Sequence, residues 1–291
     1  MKKKQQLKSW LFTGYDFWNR YKKNRVAVVG LMILIILLIL SLFSEYIAPF
    51  NPYKMELTTE AILKPPSYKH PVGTDAFGRD IFSRVIWGTR ISLTAGFTAV
   101  IVSTVIGVLL GSISGYFGGN IDSAIMRFVD MLLVIPRFFL LLVIVSMFGN
   151  SITLIMVFIG LTIWPSTARL VRAEFLSVKE QDYVIAAKAV GASNMHIVFG
   201  EILPNAIFPA IIQGSLQVGL AIMMEASLSF LGLGDPRAIS WGRLLSDALP
   251  FFYRAWWMAV LPGVMIGITV LAFNLIGDGL NDALNPHLKE R

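Results

Sequence analysis

The 291-residue chain has no cysteine, only three histidines, and few charges: Asp, Glu, Lys and Arg make up 15% of it. Ordinary globular domains carry about 25% charged residues. The missing cysteine excludes disulfides, iron–sulfur ligation and thiol chemistry. His70, His196 and His287 are scattered, and none has a neighbour at metal-ligand spacing. Neither G-x-S-x-G, H-E-x-x-H nor a Walker A sequence occurs, so no catalytic constellation is legible. No internal repeat or low-complexity run stands out.

What the chain does have is apolar length. Hydrophobic residues make up 55% of it, and the mean hydropathy is +0.67. Acids are scarce at the start: residues 1–25 hold eight Lys/Arg against Asp16. A basic start can mean nucleic acid, but an apolar run follows at once. The positive-inside rule accounts for it better and places the N-terminus in the cytoplasm. Residues 26–43 carry no charge over 18 positions. That exceeds the roughly 7–15-residue apolar region of a signal peptide, and no A-x-A site follows. The run reads as an uncleaved first span.

Residues 26–48 make that span, and 49–88 form a polar extracytoplasmic loop with five prolines. Within the loop lies HPVGTDAFGRDIFSR, residues 70–84. Gly73-x4-Gly78-Arg79-Asp80 misses the phosphate-binding loop, which needs Lys and Ser/Thr where Arg79 and Asp80 stand. It reads instead as a turn stapled by Asp and Arg side chains. Residues 91–113 form a second span. Gly107, Gly111 and Gly115 recur every four residues there, a surface that another helix of the same chain can approach closely. A cytoplasmic turn, 116–122, leads to a third span, 123–148, with Arg127, Asp130 and Arg137 on one stripe. Ionisable groups facing lipid are costly, so the stripe should face a partner or water. Arg127 reads as snorkelling at the inner end. Arg137, roughly 16 Å from the outer end, is a pathway candidate, and Pro136 marks a kink.

The fourth span, 150–168, is followed by Arg169, Arg172, Lys179 and Lys188, a cytoplasmic signature. The fifth, 206–230, holds Gln213, Gln217 and Glu225, which should point inward. Gln217 and Glu225 join Arg137 as pathway candidates. An outer excursion, 232–256, and the start of the last span supply Trp241, Trp256 and Trp257 as interface anchors. The last span is 257–276, and Asn274, Asp278 and Asn281 form one polar face near its inner end. Asn285-Pro286 stops the helix. Residues 89–283 thus form a five-helix core and 284–291 a cytoplasmic tail. The fold class is an all-α membrane protein with six transmembrane helices and both termini cytoplasmic.

Between the fourth and fifth spans lies DYVIAAKAVGASNMHIVFGEILPN, residues 182–205. Helix formers fill 178–190, with Ala186, Ala187 and Ala189 as a small-residue surface. Gly191 offers a break where positive φ is cheap, and Ser193 can cap a second short helix over 194–201. Pro204 suits a restart. Such a helix–Gly–helix knob fits a groove on another protein. The residues alone read equally well as an ordinary interhelical loop.

Ala186-Ala187-x3-Gly191 followed by Leu203-Pro204 resembles the "EAA" loop of binding-protein-dependent ABC transporter permeases. Two positions depart: the family's Glu falls at Ile185, and its hydrophobic residue before x-Leu-Pro falls at Glu201. Residues 70–80 resemble the HPLGTDxxGRD signature of C-type subunits of oligopeptide, dipeptide and nickel permeases. LVRAE at 170–174, EASLSFLGLG at 225–234 and LAFNLIGDGLNDALNP at 271–286 continue the resemblance in order over nearly the whole chain.

The resemblance implies a C-type permease subunit in a prokaryotic cell membrane, in contact with lipid and not with nucleic acid. Its implied partners are a homologous B-type permease, two cytoplasmic ATPase subunits and an extracytoplasmic solute-binding protein. It implies no cofactor or metal in this chain, with ATP and magnesium held by the ATPases. Tyr183, Ala186, Ala187, Gly191, Leu203 and Pro204 would couple to those ATPases. Di- or oligopeptides are the implied substrate, with nickel or metal–chelate complexes and oligosaccharides as alternatives. A carrier or channel would instead show a run of midplane carboxylates or broken helix pairs, and Glu225 stands alone. An intramembrane enzyme would need a catalytic set, which is missing.

Overall fold

The computed structural model describes residues 17–284. The first four lysines, the Asn285-Pro286 stop and the tail beyond it lie outside the described residues. The main helices are α1 (Arg25–Leu42), α2 (Ile81–Phe117), α3 (Gly119–Val134), α4 (Arg137–Phe148) and α5 (Ile152–Lys179), then α6 (Asp182–Ala189), α7 (Phe208–Phe230), α8 (Trp241–Ala248) and α9 (Trp257–Leu284). Among the described residues there is no strand, only an isolated bridge between Thr74 and Asp80. Helices α1, α2, α5, α7 and α9 are each long and apolar enough to cross a membrane. The pair α3–α4 makes a sixth crossing if counted as one, bent by 87° at Ile135-Pro136. The expected kink is a full break.

The glycine stripe explains the closest helix pair. A Cβ on Gly107 would stand 2.6 Å from Thr167 Cβ, on Gly111 2.6 Å from the Ala168 carbonyl oxygen, and on Gly115 2.5 Å from Phe175 Cβ. Carbon contacts need about 3.5–4.0 Å, so α2 and α5 touch backbone to backbone only because these positions lack a side chain. Gly160 returns the contact, facing the Ala99 carbonyl. Facing positions rise together, so α2 and α5 run parallel. Ser103 meets Gln217 while Gly96 meets Ile222, which sets α7 antiparallel to α2. Gly219 at Val270 and Gly277 at Leu216 set α9 antiparallel to α7. Finally, α1 runs against α9, with Gly30 on Leu275 and Gly279 on Ala27. The start of α1, the end of α9 and the 182–206 segment therefore share one end of the bundle, the elbow end. The 49–80 segment and α8 cap the other.

Helices outrun the hydropathic spans. The expected loop 49–88 gives up residues 81–88 to α2, because the Asp80 carboxylate accepts the Ser83 N–H at 2.8 Å and its hydroxyl at 2.7 Å, a side-chain N-cap. At 37 residues α2 is about 55 Å long, well beyond a hydrocarbon core of about 30 Å. Helix α5 likewise runs on to Lys179, and the 116–122 turn shrinks to a joint at Gly118. Two tryptophans assigned to the interface are elsewhere. Trp241 is fully buried with its indole N–H on the Val85 carbonyl at 3.1 Å, and Trp257 is buried with its own on Thr74 at 3.4 Å. Helix α8 folds back onto α2 and α7 and carries Trp241 inside. Of these three tryptophans, Trp256 alone is exposed.

Candidate coupling elbow and pathway residues

The 182–206 segment is packed, not loose. In α6 Asp182 sits in the first turn and Lys188 in the last, matching the helix dipole. The helix closes in a Schellman motif: Ala192 N–H bonds the Ala187 carbonyl at 3.1 Å and Gly191 N–H bonds the Lys188 carbonyl at 3.0 Å. That closure needs a left-handed residue at Gly191, whose φ is +80°. Ser193 Oγ then accepts the His196 N–H at 3.3 Å, the cap expected for the second arm. The arm is longer than the expected 194–201. It runs as Asn194–His196, a π-helical turn Ile197–Ile202 and a short helix Leu203–Ala206. Leu203 N–H reaches back five residues to Val198, and Pro204 has no N–H with which to continue an α ladder. Val184, Ile197, Ile202 and Ala206 bury together with Phe175 of α5. One apolar cluster thus fixes both arms to the bundle.

This packing divides the coupling candidates. Tyr183, Ala186, Gly191 and Pro204 are exposed, whereas Ala187 and Leu203 are half-buried against the elbow's own cluster. Tyr183 stands beside Glu201 and Asn205 of the second arm; partial burial, then the Glu201 charge, raise its phenol above its ordinary pKa. The tip of the elbow is formed by residues that no motif marks. Val190 is 85% exposed and Met195 68%, flanking Gly191, with Ile185 and Phe199 also exposed. Their signal was available: apolar residues on either side of a turn glycine cannot both fold into a two-arm core.

The pathway candidates part company. Arg137 is half-buried and opens α4 just past the break. Asp130 pairs with Arg169 of α5 at 2.5 Å on an exposed face, and Arg127 is exposed. Gln217, 3% exposed, donates to Thr167 Oγ1 at 3.1 Å and accepts from Ser103 at 3.3 Å, tying α2, α5 and α7 together. Glu225 is 0% exposed; one oxygen accepts from Ser229 at 2.7 Å and the other meets no partner among the described residues. Asn274, Asp278 and Asn281 form an exposed face of α9 toward the elbow end.

At the cap end the stapled turn is present in full. Asp75 accepts from Arg79 at 2.7 Å and Arg84 at 2.6 Å, Arg84 reaches Asp247 of α8 at 3.2 Å, and His70 meets Asp80 at 2.9 Å. Arg79, Arg243 and Asp247 line two adjoining clefts of about 340 and 440 Å³. Asp235 caps α5: burial works against its charge, but the N–H groups of Arg237 (2.9 Å) and Ile152 (3.3 Å) hold its carboxyl below the ordinary pKa. No group of three His, Cys, Asp or Glu among the described residues could hold a metal.

A multi-pass helical membrane protein with a packed, two-armed elbow at one end is the class these features define. Residues 107–290 match the binding-protein-dependent transport system inner membrane component family. Residues 14–66 match the N-terminal transmembrane domain of oligopeptide transport permease C. The dipeptide transport system permease protein DppC of Escherichia coli is 45% identical over 285 residues, covering 94% of this chain and 93% of its own. Its Haemophilus influenzae counterpart is 42% identical over 282 residues, covering 94% and 95%. The glutathione transport system permease protein GsiD of Pectobacterium atrosepticum is 38% identical over 275 residues, covering 94% and 91%. Among solved structures, the inward-facing MetNI methionine ABC transporter shares the fold, with TM-score 0.53 at 18% identity over 69% of this chain and 96% of that one. This chain belongs to the binding-protein-dependent transport system inner membrane component family. It is an inner-membrane permease subunit of an ABC importer and not itself an enzyme. The break between α3 and α4, a feature expected of carriers, therefore occurs inside an ABC permease.

Proposed function

We propose that this chain and a homologous permease form the membrane pathway of a short-peptide importer, driven by two ATPase subunits seated on the elbow. The carrying observation is the elbow itself: a packed, two-armed segment whose tip exposes Val190 and Met195. Relatives named for dipeptide and glutathione transport, both short peptides, support the substrate class. In this reading the elbow end is cytoplasmic, with Tyr183, Ala186, Gly191 and Pro204 on the contact surface and Ala187 and Leu203 beneath it. The clefted cap end receives a solute-binding protein. Arg137 borders the pathway at the helix break, and Gln217 and Glu225 hold α7 in place behind it. ATP and magnesium reside on the ATPases. The test is uptake of a labelled dipeptide into proteoliposomes holding the whole complex. ATP-dependent uptake that excess unlabelled dipeptide abolishes is expected. Uptake of a metal chelate or a sugar in its place overturns the substrate, and uptake indifferent to ATP overturns the coupling.

A further inference from the structure

One side chain outside every motif joins the elbow to the helix pack. Tyr116, in the last turn of α2, is buried at the elbow end. Its hydroxyl donates to Asn194 Oδ1 at 2.7 Å, on the second arm. Its ring lies 6.0 Å from the Lys188 ammonium, on the first arm, and 5.7 Å from that of Lys179, at the end of α5. Its carbonyl accepts from the same Lys179 at 2.7 Å. Both arms and two helices thus converge on a single residue. Cations within about 6 Å of an aromatic centroid are attracted to its face, so the ring and the hydroxyl hold different arms by different forces.

Two residues further on the chain turns sharply. Gly118 and Gly119 have φ of +68° and +54°, and nothing stands within 4 Å of where their side chains would be. This joint is open and its backbone is the kind only glycine adopts readily. Beyond it α3 is gripped by Arg172, whose Nε and Nη2 each donate to Asp122 at 2.5 Å, and by Ser114. Helix α3 then leads to the break and Arg137. We propose that Tyr116 is the pin through which displacement of the elbow reaches the Gly118–Gly119 joint, swinging α3 and the pathway break beyond it. It is a positioning residue, and the inference rests on the ATPases seating at the elbow.

Coupling ratio, peptide delivered per ATP hydrolysed, separates transmission from docking in the reconstituted complex. Tyr116→Phe removes only the bond to Asn194 and keeps the ring beside its lysines; Asn194→Ala removes it from the other side. Each is expected to keep its ATPases on co-purification and to hydrolyse ATP at the wild-type rate, while the coupling ratio falls several-fold. Asn194→Asp, which can still accept from the tyrosine, should restore it. A failure of the peptide-importer reading would instead appear in the wild type, as no ATP-coupled delivery at all. An unchanged ratio in both variants overturns the pin, even if thermal stability falls. Loss of the ATPases from both also overturns it, since Tyr116 would then serve docking.

Discussion

At the scale of single residues, charge at the cap end is held in alternation. Asp75 is 1% exposed and accepts from the N–H groups of Phe77 and Arg79 as well as from two guanidinium groups. Removing one member of a buried ion pair typically costs about 3–5 kcal/mol because the other charge is left without compensation. Asp75→Asn should therefore lower the unfolding temperature of the purified protein by many degrees, whereas Arg237→Gln, on the surface, should leave it unchanged. Equal melting of the two variants would remove the staple's structural role. The same logic separates the pathway candidates. In this cysteine-free chain, Arg137→Cys should react with a water-soluble thiol reagent in the resting complex, and Glu225→Cys should not. A reactive Glu225→Cys would put that helix face on the pathway. The stapled turn was legible because Asp and Arg at i and i+4 across turn glycines have few other uses. Trp241 was misjudged because tryptophan beside an apolar span signals an interface only when its helix stays there, and α8 folds inward.

At the scale of elements, small residues decide which helices meet. Gly111→Ala would place a methyl 2.6 Å from a backbone carbonyl that cannot move aside, and overpacking of this kind costs about 1–3 kcal/mol. Gly263→Ala, with nothing within 4 Å, should be neutral or slightly stabilising, since alanine suits a helix better. Comparing the two in thermal unfolding isolates the α2–α5 contact; equal stability would refute it. Gly191→Val meets no neighbour but forces a β-branched residue to positive φ, at about 1–3 kcal/mol. It should insert normally yet lose its ATPases on co-purification. The four-residue glycine spacing announced this packing in advance. Helix ends were less readable. Hydropathy records where lipid lies, while α2 and α5 continue beyond it on caps and on contacts between distant residues.

At the scale of the molecule, the chain is a permease subunit that, in the function proposed above, supplies a path and a lever but no engine. Purified without partners it should show no ATP hydrolysis above background, and turnover would contradict its place as a passive subunit. Five of the six expected crossings and the position of the elbow were legible as continuous helices, because apolar runs and a turn glycine between cationic segments survive without tertiary context; the sixth is the bent pair α3–α4. Which elbow residues face outward was not. Ala186 and Ala187 are neighbours in sequence, but α6 turns one out and the other onto the apolar cluster that holds both arms. Only the fold of the second arm, with its π turn, decides that. The most direct measurement is photo-crosslinking in the assembled complex, from a photoreactive residue placed at Val190 and, separately, at Tyr68 on the cap end. The Val190 probe should link to the ATPase subunits and the Tyr68 probe to the solute-binding protein. A Val190 probe that links to the binding protein, or to no ATPase while the complex remains intact, would contradict the account.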